Sequence, residues 1–191
     1  MTTIFDTFKT NHSNSPVLNL PHTDTWGPVS SRLLVASSEA TIDINIRNED
    51  KLTFSLDSIG KSANIDYHYP QPIDISKVKT IRFTNVSSVG TPSYNLIMHN
   101  TSSISALVSF ENNGMVTWNL SEFTNFDLKN ITELVIQIKA PTGPASGTIG
   151  ELSSQTCIQS GNIIDILTCL LSDIFGSVKK ATARFSKRIR S

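Results

Sequence analysis

Apolar and polar residues alternate one by one through most of residues 32–152. A chain with that two-residue rhythm buries one side of each segment only as half-covered β-sheet. The predicted strands are 32–37 (RLLVAS), 40–47 (ATIDINIR), 51–59 (KLTFSLDSI), 63–69 (ANIDYHY), 79–86 (KTIRFTNV), 93–100 (SYNLIMHN), 105–111 (SALVSFE), 115–120 (MVTWNL), 133–140 (ELVIQIKA) and 148–152 (TIGEL). Turn formers separate them, among them NED at 48–50, the prolines Pro70 and Pro72, GTP at 90–92, NNG at 112–114 and PTGPASG at 141–147. No helical stretch lies between these strands to make parallel crossovers, so the fold class is all-β, an antiparallel sandwich or closed barrel. Asn and Gly in NNG tolerate the positive φ of a tight hairpin, which predicts that 105–111 and 115–120 pair directly. On the second of these, Val116, Trp118 and Leu120 form the predicted core face.

Both ends depart from this rhythm. Residues 1–31 contain Pro16, Pro21 and Pro28, and read as one short strand, TIFDTF, followed by loop pinned by Phe5, Phe8 and Trp26. After Ser153 the apolar spacing changes to three and four: Ile163, Leu167, Leu170, Ile174 and Val178 define an amphipathic helix. The predicted organisation is a sandwich at 1–155 and, at 156–191, an amphipathic helix with a basic tail. The apolar part of that helix holds Asp165 and Asp173 and is shorter than the ~20 residues that span a bilayer. Formal net charge is +0, which gives no reason to expect nucleic acid as a partner. Six of the 16 Lys and Arg residues nevertheless follow Asp173, so the tail suits an anionic membrane surface. Three uses of the helix stay open: docking on its own sandwich, self-association or attachment to a larger assembly, and contact with an anionic surface. The opening MTTIFDTF has neither the basic start nor the unbroken apolar stretch of a secretory leader. Its two cysteines, Cys157 and Cys169, lack metal-ligand spacing; buried thiols, a local disulfide and a bridge between subunits all remain open.

Two segments rhyme without gaps: Asp74 aligns with Asp127, Ile75 with Leu128, Val78 with Ile131, Ile81 with Leu134 and Phe83 with Ile136. Each reads as a loop leading into a strand, with Asp bonding nearby backbone at the turn. Together with TWNLSEF, the opening IFDTF and the late TIGEL, the phrase resembles galactose-binding-like jelly rolls, the β-sandwich family that includes many carbohydrate-binding modules. The resemblance spans about residues 4–152. It implies a jelly-roll sandwich, a glycan partner and a structural calcium held by Asp6 and Glu151 at the first and last strands. Jelly rolls of this type also resemble adhesins, virion and spore-surface proteins, and structural spacers.

A pyranose stacks its C–H face on an aromatic ring while amides and carboxylates bond its hydroxyls. The residues suited to that are Trp26, Tyr67, Tyr69 and Tyr94, with Asp66, His68, His99 and Asn95. The alternative for the tyrosines is core packing. No nucleophile elbow, phosphate-binding glycine loop or zinc-protease motif occurs, and acids such as Glu122 and Asp127 read as turn residues. The expected function is a non-catalytic binding or adhesion module, glycan-binding, held in an assembly by its C-terminal helix. Its rival is a structural subunit of a coat, filament or shell; an enzyme is the outsider.

Overall fold

The computed structural model describes residues 2–6, 8, 17, 18, 23, 24, 27, 28, 31–45 and 51–156. In chain order the strands are β1 (Thr2–Asp6), β2 (Val17–Leu18), β3 (Thr23–Asp24), β4 (Gly27–Pro28), β5 (Ser31–Ala36), β6 (Ala40–Asn45), β7 (Lys51–Leu56) and β8 (Ser62–Ile73). There follow β9 (Val78–Thr84), β10 (Ser87–Val89), β11 (Ser93–Asn100), β12 (Ile104–Phe110), β13 (Val116–Asn119), β14 (Ile131–Lys139), β15 (Ala145–Ile149) and β16 (Glu151–Thr156). One 3₁₀ turn, Leu120–Glu122, interrupts them.

A six-stranded sheet in the order β12-β11-β14-β8-β5-β2 forms one layer. Two four-stranded sheets, β1-β16-β9-β13 and β10-β15-β7-β6, share its buried core, and β3 and β4 make a small ribbon. All pairings are antiparallel. The predicted alternation therefore has the outcome it demands: β8 buries Ala63, Ile65, Tyr67 and Tyr69, and leaves Asn64, Asp66 and His68 half-exposed on the other side. Central β14 also buries Val135 on its outer side, as a strand flanked on both edges does. Four aromatic rings cross the core. Phe83 on β9 lies edge-on to Trp118 on β13 at 5.5 Å and to Tyr94 on β11 at 6.3 Å, and Tyr94 meets Phe54 on β7 at 6.3 Å, perpendicular. Trp118 also donates its indole N–H to the Tyr94 carbonyl at 3.1 Å.

Two expectations are corrected here. The NNG turn forms, with Asn113 and Gly114 at positive φ, but it joins two layers and not two neighbours. Strand β12 pairs with β11, whereas β13 pairs with β9; the two are linked by the bridge Asn112–Met115 and a bond from Ser109 Oγ to the Thr117 carbonyl. Trp118 directs the chain into the opposite layer because its ring packs on Phe83. TIGEL, read as one strand, is two: β15 ends at Ile149 and β16 begins at Glu151, each in a different sheet. Gly150 sits at the break, where its N–H donates to the Thr84 carbonyl at 3.1 Å. The rhyming lead-ins lie side by side, with Ile75 N–H donating to the Leu128 carbonyl at 2.9 Å. Asp74 accepts from the Ser76 N–H and Asp127 from the Lys129 N–H, both at 2.9 Å, as the repeated phrase predicts. Trp26, Cys157, Cys169 and the helix residues Ile163, Leu167, Leu170, Ile174 and Val178 lie outside the described residues.

A β-carbon on Gly150 would stand 2.7 Å from the Asn85 Cβ, whereas one on Gly143 meets nothing within 4 Å. Gly150→Ala is expected to cost about 1–3 kcal/mol in urea unfolding, and Gly143→Ala to lie within about 0.5 kcal/mol of the parent.

Candidate functional site

The sandwich divides the site residues named from sequence into two groups. Tyr67, Tyr69 and Tyr94 point into the core and are buried, so these three rings offer no face to a sugar, and the expectation that they stack on one is corrected. Period-2 alternation is the reason: Tyr67 shares its face with Ile65 and Ala63, and Tyr94 with Leu96 and Met98.

Asp6 is buried as well, and its carboxylate is fully engaged. Oδ1 accepts from the Phe8 N–H at 2.8 Å; Oδ2 accepts from the Tyr67 hydroxyl at 2.9 Å and from the guanidinium of Arg32, itself wholly buried. The Arg32 guanidinium also lies 5.8 Å over the Phe8 ring. Burial, and then the charge of Asp6, push the Tyr67 hydroxyl well above its usual range, so it stays a donor. Asp6 stands opposite Leu152 in the β1–β16 register, which puts Asp6 on the core face and Glu151, one residue earlier, on the reverse side. A calcium ion needs six or more oxygens converging on one point. These two carboxylates face opposite ways and Asp6 is occupied, so the residues do not fit the calcium that the resemblance implies. No cluster of three or more metal-ligating side chains occurs among the described residues.

Asp66, His68 and Asn95 do come together, on the outer face of the six-stranded sheet, with His99. Register fixes their neighbours. His68, Glu133, His99 and Ile104 form one cross-strand row; Leu33, Asp66, Val135, Ile97 and Ala106 the next; Val35, Asn64, Gln137, Asn95 and Val108 the third. Both carboxylate oxygens of Glu133 are engaged: Oε1 lies 3.2 Å from His68 Nε2 and Oε2 lies 3.2 Å from His99 Nδ1. Asn95 Nδ2 donates to Gln137 Oε1 at 3.2 Å. Asn64 Oδ1 and Asp66 Oδ1 are shut off from solvent with no hydrogen-bond partner among the described residues. Desolvation, followed by the nearby charge of Glu133, pushes the Asp66 carboxyl up to about 6, against the opposing pull of His68 and His99. The polar centre of this face is rimmed by apolar side chains: Val35 on β5, and on β12 Ile104, Val108 and Phe110, which are 66%, 61% and 58% exposed.

Glu133, Gln137, Asn64 and Phe110 belong to this face but were not singled out from sequence. The alternation in ELVIQIK places Glu133 and Gln137 on one side of their strand. Which strands flank it depends on pairings between β8, β14 and β11, up to 77 residues apart in the chain for the Ser62–Lys139 pair.

No protein-family model matches the sequence and no curated protein matches it. Solved structures do. The family 11 carbohydrate-binding module of the cellulosomal cellulase Lic26A-Cel5E of Clostridium thermocellum aligns over 85% of this chain and 98% of its own, with TM-score 0.54 and 13% identity. A second structure of a family 11 module from Clostridium thermocellum, in complex with a β-1,3-1,4-mixed-linked tetrasaccharide, aligns over 81% of this chain and 95% of its own, with TM-score 0.50 and 13% identity. The structure PfGH50B aligns over 66% of this chain but only 22% of its own, at TM-score 0.44 and 13% identity; that degree of likeness says nothing about chemistry. The described sandwich thus has the jelly-roll-like fold of carbohydrate-binding modules. At these identities the likeness establishes architecture alone.

Removing one partner of a buried ion pair strands the other. Arg32→Met is expected to destabilise the fold by about 3–5 kcal/mol, whereas a chelator leaves the melting temperature of the parent unchanged. A chelator-induced fall in melting temperature would reinstate a metal. Because the carboxyl of Asp66 is raised in the fold, its ionisation opposes folding: this group's contribution is most favourable below its ordinary value of 3.8 and is lost as pH rises through about 6. Asp66→Asn is therefore expected to raise the melting temperature at neutral pH relative to the parent and to leave it unchanged in strong acid.

Proposed function

We propose that the outer face of the six-stranded sheet binds glycan and that the chain acts as a non-catalytic carbohydrate-binding module. The observation that carries this reading is the composition of one sheet face. Amides, carboxylates and imidazoles of three adjacent central strands stand in cross-strand register, beside an exposed ring and aliphatic side chains on the edge strand. Strands ~4.8 Å apart with side chains repeating every ~6.8 Å set out donors and acceptors on a grid comparable with the hydroxyls of successive sugars. Phe110 supplies a stacking surface that the buried tyrosines do not. Fold likeness to modules of which one was solved with a mixed-linked tetrasaccharide makes a β-1,3-1,4-glucan the first probe.

The finer part of the reading is that residues 162–191 attach the module to a larger assembly; its support is the apolar periodicity from Ile163 to Val178 and the basic end of the sequence. A structural subunit without ligand is the second reading, favoured by exposed Ile104, Val108 and Phe110 on an edge strand, a position where apolar side chains invite pairing with another chain.

Titration calorimetry against a panel of soluble glycans tests the primary reading. Phe110→Ala and Gln137→Ala are each expected to weaken binding about tenfold with the melting temperature unchanged. Binding to no member of the panel, or binding indifferent to both substitutions, would refute it.

A further inference from the structure

Strand β12 closes one edge of the six-stranded sheet, and its second edge has no ladder partner among the described residues. β13 meets its inner side, where Ser109 Oγ donates to the Thr117 carbonyl. An open edge offers a row of unpaired backbone donors and acceptors to any other strand, and folds blunt such edges by shortness, charge, proline or a bulge. The other outer strands of the three larger sheets are blunted in these ways. β2, β10 and β13 have two, three and four residues, β6 carries Asp43, and β1 carries Asp6 and a register shift. β12 has seven residues, ISALVSF, with no charge, no proline and no shift in its pairing with β11. Its exposed side is an apolar column of Ile104, Ala106, Val108 and Phe110.

From this edge we infer that two copies of the chain pair antiparallel through β12 about a twofold axis at Leu107. The strand itself names the occupant: in both directions ISALVSF runs apolar, Ser, apolar, Leu, apolar, Ser, apolar. A twofold contact sets a patch against itself, so it requires a self-complementary strand. With the axis at Leu107, Ile104 faces the second copy's Phe110 and Ala106 faces its Val108 on the outer side. On the inner side Ser105 faces Ser109 and Leu107 faces its own copy. An aromatic ring against a β-branched side chain, and Ser against Ser, are favourable cross-strand pairs. The Ser109 hydroxyl can still accept while it donates to Thr117. Charge also fits: Glu111, the acidic residue next to the strand, falls opposite Ser103 and not opposite itself, and the formal net charge of +0 sets no general repulsion between copies. A slip of two residues would put Phe110 opposite Ser102, or Ile104 opposite Asn112, so the apolar column fixes the register. The paired sheet has twelve strands, six from each copy, with both polar outer faces on one side. A contact one strand wide falls at the low end of interface sizes, below ~800 Å² per partner, and gives a reversible dimer. This pairing does not depend on the face taking glycan.

Sedimentation velocity of the full chain is expected to show a monomer–dimer equilibrium that shifts with concentration. Val108→Lys and Ile104→Lys each place a charge on the edge and are expected to weaken the dimer about tenfold or more. Ile59→Lys, at a residue similarly exposed in the turn before β8, leaves it unchanged. The melting temperatures of the two edge variants, taken dilute, are expected to match the parent. Register is tested in chains carrying Cys157→Ser and Cys169→Ser. Directly opposed residues lie ~4.5–5.5 Å apart, within disulfide reach, whereas diagonal ones lie ~7–8 Å apart. Mild oxidation of an equal mixture of Ala106→Cys and Val108→Cys chains is therefore expected to give the mixed dimer above its statistical share. A monomer at every concentration, a dimer indifferent to both lysine substitutions (as one held by residues 162–191 would be), or a merely statistical yield of mixed dimer overturns the inference.

Discussion

The contact of Phe83 with Trp118 and Tyr94 is the constraint on which the rest of the sandwich depends. Three separate sheets meet there: Phe83 and Trp118 come from one four-stranded sheet, Tyr94 from the six-stranded sheet and Phe54 from the other four-stranded sheet. Aromatic side chains bury more apolar area than any others, and edge-to-face pairs add about 0.5–1.5 kcal/mol beyond that area. Because Tyr94 turns inward to complete this cluster, Asn95 must turn outward. The register then carries the same choice across β14 to Gln137 and across β8 to Asn64. Core packing thereby sets the composition of the outer face, although no core side chain reaches it.

Two aspartates show how placement divides one chemistry into two roles. Asp6 lies inside and is held by a guanidinium, a phenol and a backbone N–H, so its charge is balanced within the protein. Arg32 supplies there the positive charge that a divalent cation would otherwise bring, and the first strand is tied to the sheet carrying Tyr67 without a metal. Asp66 lies on the outer face of β8, directly before Tyr67 in sequence, and has an oxygen with no protein donor among the described residues. A satisfied buried pair contributes to holding a unique structure, whereas desolvation raises the Asp66 carboxyl and makes its ionisation a cost to the fold.

Much of the architecture was legible in the residues themselves. The two-residue rhythm located the strands from Ser31 to Lys139, because a side chain's face in a strand follows from parity alone. The rhyme between Asp74 and Asp127 marked two turns that the structure closes with the same Asp-to-backbone bond. Other features were not legible. Parity cannot say which face is the core when both carry suitable residues, and so the tyrosines of ANIDYHYP read equally well as stacking platforms or as core. NNG specifies a tight turn but not whether the chains it joins continue in one sheet or in two layers.

By itself, then, the sequence determined that this chain forms antiparallel sheets, where they bend, and that a different periodicity begins after Ser153, since each of these is local chemistry acting over a few residues. Only the tertiary structure decided that Asp6 pairs with Arg32, that Tyr67 and Tyr94 are core, and that Asp66, Glu133, His68 and His99 share a surface. Those juxtapositions come from strand pairings across tens of residues, and pairing at that range is selected by how the whole core packs and not by any short stretch of sequence.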